Sequence, residues 1–264
     1  MLVIIKSGYE EVSREAGRIV ANAIGRNPRI TLGLAAGSTP TGMYQELVRL
    51  HREEGLDLSK VVTFNLDEYL GLSAEHPQSY HWYMWRTFFD HVNIRPENVH
   101  IPDGKPRDDY EHYCQHYEEA IRQAGGIDLQ VLGIGADGHI GFNEPTSSLA
   151  SRTRIKTLTT KTLEDNRRFF SQEEEVPECA ITMGIGTILE ARRILLLASG
   201  SSKAPAVARA IEGPLSSAVT ASSLQLHQDV TLVLDEQAAA GLEHREYYRR
   251  VVAKAAKFTP SRLW

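Results

Sequence analysis

Residues 2–34 read LVIIKSGYEEVSREAGRIVANAIGRNPRITLGL, two apolar runs separated by an amphipathic segment. The runs Leu2–Ile5 and Ile30–Leu34 are short and rich in β-branched residues, which is typical of strands buried on both faces of a parallel sheet. The segment between them has apolar residues at helical spacing, at Val12, Ala16, Ile19 and Ala23. A strand, a helix and a second strand in this order predict a right-handed crossover of an α/β sheet.

The same alternation continues along most of the chain. Further strands are predicted at Val61–Asn65, Asp128–Ile134, Ile194–Ala198 and Val230–Leu234. Helices are predicted between them at Met43–His51, Tyr80–Phe89, Tyr110–Ala124 and Lys203–Ile211. Because no repeat, low-complexity tract or linker divides the sequence, we predict one domain over residues 1–264, with an open, mostly parallel, Rossmann-like sheet and helices on both faces.

A polar segment at residues 146–180 breaks this pattern and is predicted to be a lid. Within it, residues 155–159 alternate in the manner of a short strand, and Lys161–Phe170 has the character of a short helix. It carries, among its cations, Arg152, Arg154, Lys156, Arg167 and Arg168. A solvated excursion without function is the alternative.

The composition limits the class of protein. The chain has 264 residues, 42% of them hydrophobic, and a formal net charge of −5, values that exclude a collagen, a coiled coil and a disulfide scaffold. Its 29 Lys and Arg residues are scattered, so no nucleic-acid partner is expected. No apolar run approaches the roughly 20 residues of a membrane span. Two cysteines, Cys114 and Cys179, and a start without a signal-peptide pattern predict a cytoplasmic protein with inert thiols.

The loop after the second predicted strand has the features of a phosphate site. It covers residues 33–42 and opens a helix with Pro40 at the predicted N1 position. There Gly37 lets a ligand approach the backbone, and Ser38 and Thr39 add hydroxyl donors beside the positive end of the helix dipole. Helix capping by these two hydroxyl groups is the alternative.

Two adjacent carboxylates, Asp67 and Glu68, follow the strand predicted at Val61–Asn65. In an open parallel sheet, ligands bind at the edge where the strands end. Neighbouring side chains of an extended segment point to opposite sides, so we expect at most one of the two to face the cleft. A turn-forming role for Asp67 is the alternative.

The segment Gly133–Pro145 matches the dinucleotide pattern G-x-G-x-x-G through Gly133, Gly135 and Gly138. That pattern requires a helix to begin at once, but Gly141 and Pro145 interrupt it, and no acidic residue follows at the distance that holds a ribose. Nicotinamide chemistry is therefore not expected. The absence of G-x-S-x-G from the chain likewise disfavours a serine hydrolase.

The same segment contains Asp137, His139 and Glu144, a carboxylate and imidazole arrangement that suits proton transfer. In an extended loop, Asp137 and His139 lie on one side. A metal site is the alternative, but no further ligand is near in sequence, so we expect no metal. A fourth loop, Ala198–Ala204, brings Lys203 to the start of a helix, where it can meet an anion.

These loops occur together and in one order, and in this the sequence resembles the glucosamine-6-phosphate deaminase (glucosamine-6-phosphate isomerase) family. The resemblance rests on residues 33–40, 63–69 and 133–145, and it continues through 147–157, 168–170, 200–204 and 224–227. Ser38 stands where many members have a second glycine, and a backbone donor survives that change. The match is loosest beyond Asp235.

The resemblance implies an enzyme that converts glucosamine 6-phosphate and water to fructose 6-phosphate and ammonia without a metal or an organic cofactor. In such an enzyme Asp67 is the base that takes the C2 proton, and His139, assisted by Asp137 and Glu144, opens the pyranose ring. The residues that hold the substrate phosphate are then Gly37, Ser38, Thr39, Arg168 and Lys203.

The resemblance also implies regulation. In family members activated by N-acetylglucosamine 6-phosphate, positions matching Ser147, Arg154 and Lys156 bind the phosphate of the activator at a subunit interface. This chain keeps them in a cluster that includes Arg152 and has no acidic residue among them, so we expect an allosteric site in a homo-oligomer. A solvated strand face is the alternative.

Two other functions stay open at this point. A 6-phosphogluconolactonase shares the general fold and a Gly-Asp-Gly-His loop, but it typically has an arginine after the Asp-Glu pair, where this sequence has Tyr69. It also lacks the continuation Phe142–Pro145. A catalytically silent sugar-phosphate sensor is the other alternative, although it would not need the four candidate catalytic residues together.

Overall fold

Strands and helices alternate along the protein from residue 2 to residue 258. The structure is a computed structural model that describes residues 1–107 and 109–258. The strands are β1 (Leu2–Lys6), β2 (Thr31–Leu34), β3 (Val62–Asn65), β4 (Asp67–Tyr69), β5 (Val99–His100), β6 (Leu129–Leu132), β7 (Arg154–Thr157), β8 (Cys179–Thr182), β9 (Arg193–Ala198) and β10 (Val230–Asp235). The α-helices are α1 (Tyr9–Arg26), α2 (Ser38–Glu54), α3 (Tyr80–Thr87), α4 (Tyr110–Gln123), α5 (Thr160–Arg167), α6 (Ile185–Leu189), α7 (Ala204–Ile211) and α8 (Arg245–Phe258). Short 3₁₀ turns lie at Phe89–His91, Pro96–Asn98, Ser201–Lys203 and Thr220–Leu226.

Seven of these strands form one sheet in the order β1-β10-β9-β6-β2-β3-β5, and every neighbouring pair is parallel. All six strands predicted from the sequence lie in this sheet, so the prediction of an open, mostly parallel α/β fold in a single domain is confirmed. The seventh strand, β5, is not predictable because it has two residues and leaves no apolar run in the sequence.

Apolar side chains fill both faces of this sheet. On one face Phe64 and Leu132 pack with residues of α4, α6 and α7. On the other face Leu34 and Val131 pack with residues of α1, α2 and α3. Successive residues of a strand alternate between the faces, and a parallel sheet covered on both sides is therefore apolar along its whole length.

A second sheet has three antiparallel strands in the order β4-β8-β7. Its ladder sets Asp67 opposite Thr182 and so joins the strand of Asp67 to the lid segment. The strand predicted at residues 155–159 is present as β7, and the helix predicted at Lys161–Phe170 ends three residues early, at Arg167. Strands β4, with three residues, and β8, with four, were not predicted from the sequence.

The carboxyl ends of β2, β3, β6 and β9 meet at one edge of the main sheet. The four loops singled out from the sequence begin there, as expected for ligand sites of open α/β sheets. Among the described helices, none is long and apolar enough to cross a membrane.

Candidate active site

A cleft of about 620 Å³ opens at this edge of the sheet. The predicted site residues that line it are Gly37, Ser38, Thr39, Asp67, His139, Arg168 and Lys203. They come from four separate loops and the lid segment. The fold therefore brings together the candidate phosphate site and the candidate proton-transfer residues.

The phosphate loop turns sharply at Gly37, whose φ of 112° lies in the region that favours glycine. Helix α2 begins directly after it at Ser38, so Pro40 is the third helical residue and the prediction of Pro40 at N1 is wrong by two positions. No described side chain caps this helix, which disfavours capping as the role of Ser38 and Thr39. The N-terminus of α2 thus opens into the cleft with its dipole available to an anion.

The two predicted phosphate-binding cations line the same cleft from other elements, and Lys161 of α5 lines it as well. Lys203 ends the 3₁₀ turn that precedes α7, and Arg168 follows α5 with its guanidinium 4.7 Å from the ring centroid of Phe169. Burial lowers the pKa of Lys203, against the pull of Asp165 and Asp137. A phosphate between the helix N-terminus and these side chains would gain charge-assisted hydrogen bonds.

Asp67 is the first residue of β4 and is only 7% exposed. No hydrogen bond from the described residues reaches its carboxylate. Burial is the main cause that raises the pKa of Asp67 to about 8, and the charge of Glu68 is the second. A carboxyl group in this condition holds its proton more strongly than usual and can act as a general base near neutral pH.

Glu68 points away from the cleft. Its carboxylate accepts backbone hydrogen bonds from Tyr69, Tyr80 and His81. The prediction that at most one of the two adjacent carboxylates faces the cleft is therefore confirmed.

Asp137, His139 and Glu144 form a compact group. His139 Nδ1 lies 2.8 Å from Asp137 Oδ1 and 3.6 Å from Glu144 Oε2. Burial raises the pKa of Asp137, but its hydrogen bond and ion pair with His139 outweigh burial and hold that pKa at about 2. Two carboxylates beside Nδ1 orient the imidazole, and a histidine that transfers protons needs such an orientation.

Glycines let this loop fold tightly. A Cβ atom at Gly135 would lie 2.4 Å from the ring of His139, so the imidazole packs directly on the backbone. Gly141 has a φ of 55°, and a Cβ there would meet Thr182 Oγ1 at 3.0 Å and Asp67 Oδ2 at 3.5 Å. Glycine at 141 thus brings the histidine loop against the carboxylate of Asp67.

The ligand atoms of Asp137, His139 and Glu144 lie within 4.8 Å of one another. Three such groups at this spacing can hold a divalent cation as well as relay a proton. The prediction of a site without metal stays a prediction.

The lid segment is tied to this group by Thr159, which sequence analysis missed. Its backbone N–H donates to Glu144 Oε1 at 3.1 Å, and its hydroxyl donates to Glu144 Oε2 at 3.3 Å. Aromatic rings complete the wall, with Tyr69 packed between Tyr80, Phe142 and Phe170. A threonine before a helix is a capping signal. No local sequence pattern indicates the bond of Thr159 to Glu144, because the two residues are 15 positions apart.

The basic cluster of the lid segment divides into two parts. Arg152 binds Glu118 through Nε at 3.0 Å and Glu190 through Nη1 at 2.6 Å. The expectation of cations without a nearby acid is therefore wrong for Arg152, because α4 and the turn after α6 supply carboxylates from a distance in sequence.

The other members of the cluster lack such partners. Arg154 donates to Asn143 Oδ1 at 2.9 Å, and burial lowers its pKa. Lys156 is half-buried. Ser147 is 3% exposed, and no described group bonds its hydroxyl.

A family model, a relative in sequence and a solved structure all match this chain over most of its length. The family model described as "Glucosamine-6-phosphate isomerases/6-phosphogluconolactonase" matches residues 7–233. The chain is 54% identical over 240 residues to a glucosamine-6-phosphate deaminase of Thermoanaerobacter sp. (strain X514), covering 91% of this chain and 94% of that one. A solved structure of a monomeric glucosamine-6-phosphate deaminase has 48% identity and a TM-score of 0.89, covering 91% of this chain and 100% of the other. The 6-phosphogluconolactonase of Trypanosoma brucei, with 20% identity, a TM-score of 0.71 and coverage of 91% and 98%, shares the fold alone.

Proposed function

The chain belongs to the glucosamine-6-phosphate deaminase family, and on that premise we propose that it converts glucosamine 6-phosphate and water to fructose 6-phosphate and ammonia. The observation that carries the proposal is one cleft with two separate proton-transfer groups beside a site for a phosphate. An amino-sugar phosphate in its ring form needs both groups. The first opens the ring, and the second removes a carbon-bound proton.

Ring opening falls to His139. The proton on the anomeric hydroxyl must leave while the ring oxygen gains one, and an imidazole oriented on its other nitrogen can do both. Asp137 and Glu144 hold that nitrogen. The product is an open-chain aldehyde.

Asp67 then acts on the open chain. The C1 carbonyl acidifies the proton on C2, and removal of that proton by the Asp67 carboxylate gives an enolamine. Reprotonation at C1 gives an imine at C2, which water hydrolyses to the ketone and ammonia. The reaction is an aldose–ketose isomerisation followed by hydrolytic deamination, and none of its steps calls for an organic cofactor or a metal.

Phosphate binding supplies the positioning. We assign the phosphate to Gly37, Ser38 and Thr39 at the start of α2, with Arg168 and Lys203 as the cations. Because the phosphate takes no part in the chemistry, its binding energy is free to hold the sugar in the reactive pose.

We assign residues 146–180 as a lid over the cleft. Support comes from Thr159, which joins the segment to Glu144, and from Arg168, which brings a cation of the segment to the phosphate site. A closed lid would keep solvent from the enolamine until the imine forms.

Regulation is a further part of the proposal. We assign Ser147, Arg154 and Lys156 to the phosphate of an activator, N-acetylglucosamine 6-phosphate, in a homo-oligomer. Arg152 is placed by its two carboxylates as a structural neighbour of that site. The unbonded hydroxyl of Ser147 supports the assignment, while a solved relative described as monomeric weighs against it.

The free thiols of Cys114 and Cys179 support a cytoplasmic location, because disulfides are rare in that reducing compartment.

One assay separates this function from its rivals. The purified protein is given glucosamine 6-phosphate, and ammonia and fructose 6-phosphate are measured; 6-phosphogluconolactone hydrolysis is measured in parallel. We expect equal amounts of both deamination products and no lactonase activity above background. Lactone hydrolysis alone would assign a lactonase, and binding of the sugar phosphate without turnover would assign a sensor.

A further inference from the structure

Glu68 takes no part in the proton transfers proposed above, yet it is only 1% exposed. Burying a carboxylate is costly unless hydrogen bonds replace the lost water. Here backbone N–H groups of β4 and α3 replace the water, and both elements border the cleft.

The carboxylate of Glu68 accepts three hydrogen bonds from β4 and the start of α3. The backbone N–H groups of Tyr69 and Tyr80 each donate to Glu68 Oε1 at 2.9 Å, and that of His81 donates to Oε2 at 2.8 Å. Tyr80 and His81 are the first two residues of α3. Glu68 therefore binds the N-terminus of α3, where unpaired N–H groups and the helix dipole favour a negative charge.

Helix α3 forms one wall of the cleft. The ring centroid of Tyr80 lies 5.0 Å from that of Tyr69 and 6.0 Å from that of Phe142. One turn further on, the hydroxyl of Tyr83 donates to the carbonyl oxygen of Gly37 at 2.8 Å. Through α3, the carboxylate of Glu68 connects the strand of Asp67 to the phosphate loop.

Glu68 also brings a negative charge to the neighbourhood of Asp67. Burial raises the pKa of Glu68 to about 7, against the three N–H groups, which lower it. The titratable groups that interact with the pair are Tyr44, Tyr69, Tyr80 and Tyr117 for Asp67, and Asp103 and Tyr113 for Glu68. His139, Arg168 and Lys203 line the same cleft as Asp67, yet burial and the charge of Glu68 are the causes that raise the pKa of Asp67.

We propose that Glu68 is a positioning residue for the deamination, one that fixes α3 against the cleft and places a second buried carboxylate beside the base Asp67. The inference rests on the proposed function, because it takes Asp67 as the base. It adds a role for a side chain that never touches the substrate.

The test compares Glu68→Gln with Ser79→Ala. Ser79 caps the same helix, accepting a hydrogen bond from the backbone N–H of Trp82 at 3.0 Å, but it carries no charge. Both variants should lower kcat, by about 10- to 100-fold for Glu68→Gln. Only Glu68→Gln should also move the acidic limb of the kcat/KM pH profile, by about one pH unit toward lower pH, because Asp67 then ionises more easily.

Glu68→Asp keeps the charge and shortens the reach. It should lose rate while its acidic limb stays near that of the wild type. An acidic limb that does not move in Glu68→Gln would overturn the proposal and leave Glu68 as a helix cap only.

A second measurement does not depend on catalysis. In ¹³C-aspartate-labelled protein, the titration midpoint of the Asp67 carboxyl should be lower in Glu68→Gln than in the wild type. An unchanged midpoint contradicts the proposal. Failure of the wild type to release ammonia would instead reject the proposed function, whatever the midpoint shows.

Discussion

The carboxyl group of Asp67 is buried without a hydrogen-bond donor from the described residues, and its pKa of about 8 lies far above the value of about 4 that an unfolded chain gives it. Between these two pH values the folded protein binds a proton that the unfolded chain has released. Stability therefore falls as the pH rises through this window. A site arranged for a base is thus a local source of instability.

Replacing Asp67 by Asn should consequently stabilise the protein, and more so at higher pH. We expect the melting temperature of Asp67→Asn to exceed that of the wild type by roughly 2–8 °C at pH 8 and to differ little at pH 5. Thermal unfolding of both proteins at the two pH values is the measurement. A difference that is the same at both would show that Asp67 is not protonated in the folded state.

The ring of His139 packs against the backbone of Gly135. Replacing Gly135 by Ala puts a Cβ within 2.4 Å of the imidazole, which must then move away from Asp137. We expect Gly135→Ala to lower kcat about 100-fold with little change in KM.

The matched control for that variant is Gly25→Ala, a helical position where a Cβ meets nothing within 4 Å. Steady-state kinetics of the control should match the wild type. Near-normal turnover in Gly135→Ala would mean that ring opening tolerates a displaced imidazole.

Single residues show where sequence reasoning reaches its limit. Asp137, His139 and Glu144 could be grouped because they lie within eight positions of one loop. The sequence predicted that at most one of Asp67 and Glu68 faces the cleft. It did not predict that Glu68 would bind the backbone of α3. Thr159 was missed because its bond to Glu144 depends on how the lid segment folds back.

The end of α5 and the turn before α7 each bring a cation to the cleft into which the N-terminus of α2 opens. Contacts from these cations to a substrate phosphate would strengthen binding in the ground state and the transition state alike. Their removal should therefore act on KM more than on kcat.

We expect Arg168→Ala and Lys203→Ala each to raise KM about 10- to 100-fold, the loss of one charge-assisted hydrogen bond worth roughly 1.5–3 kcal/mol. Each should also reduce the preference for glucosamine 6-phosphate over glucosamine. Saturation curves with the two sugars provide the measurement. If both quantities stay unchanged, the phosphate lies elsewhere.

The elements themselves differ in how well the sequence predicts them. Long strands such as β9 and β10 have continuous apolar runs and are found in place. Helix α2 begins at Ser38, two residues earlier than Pro40 suggested, because the chain turns into the helix at Gly37. In the antiparallel sheet only β7 was predicted, and its pairing was not, because β4 and β8 are short and pair with each other across more than 100 residues.

On the scale of the whole molecule, the parallel sheet follows from the repeated alternation of strand and helix, but contacts between distant segments do not. Arg152 illustrates this, since Glu118 and Glu190 neutralise it from 34 and 38 positions away. Assembly is likewise a property of surfaces that the sequence pattern does not describe.

The regulatory proposal is tested at this scale. We expect sedimentation to give a homo-oligomer and N-acetylglucosamine 6-phosphate to lower the half-saturating substrate concentration, by a coupling of about 1–3 kcal/mol. The double variant Arg154→Ala, Lys156→Ala should keep its maximal rate and lose the response. A monomer with hyperbolic curves that the activator does not change would remove the regulatory site and leave the catalytic one untouched.

We propose that Asp67 removes the C2 proton of glucosamine 6-phosphate in this cleft. The most direct measurement follows release of the C2 label from [2-²H]glucosamine 6-phosphate by the wild type and by Asp67→Asn, together with binding of the substrate to each. We expect label release with ammonia formation in the wild type, and in Asp67→Asn near-normal binding with label release reduced by about 10²–10⁴-fold. Release by Asp67→Asn at more than a tenth of the wild-type rate would contradict the proposal.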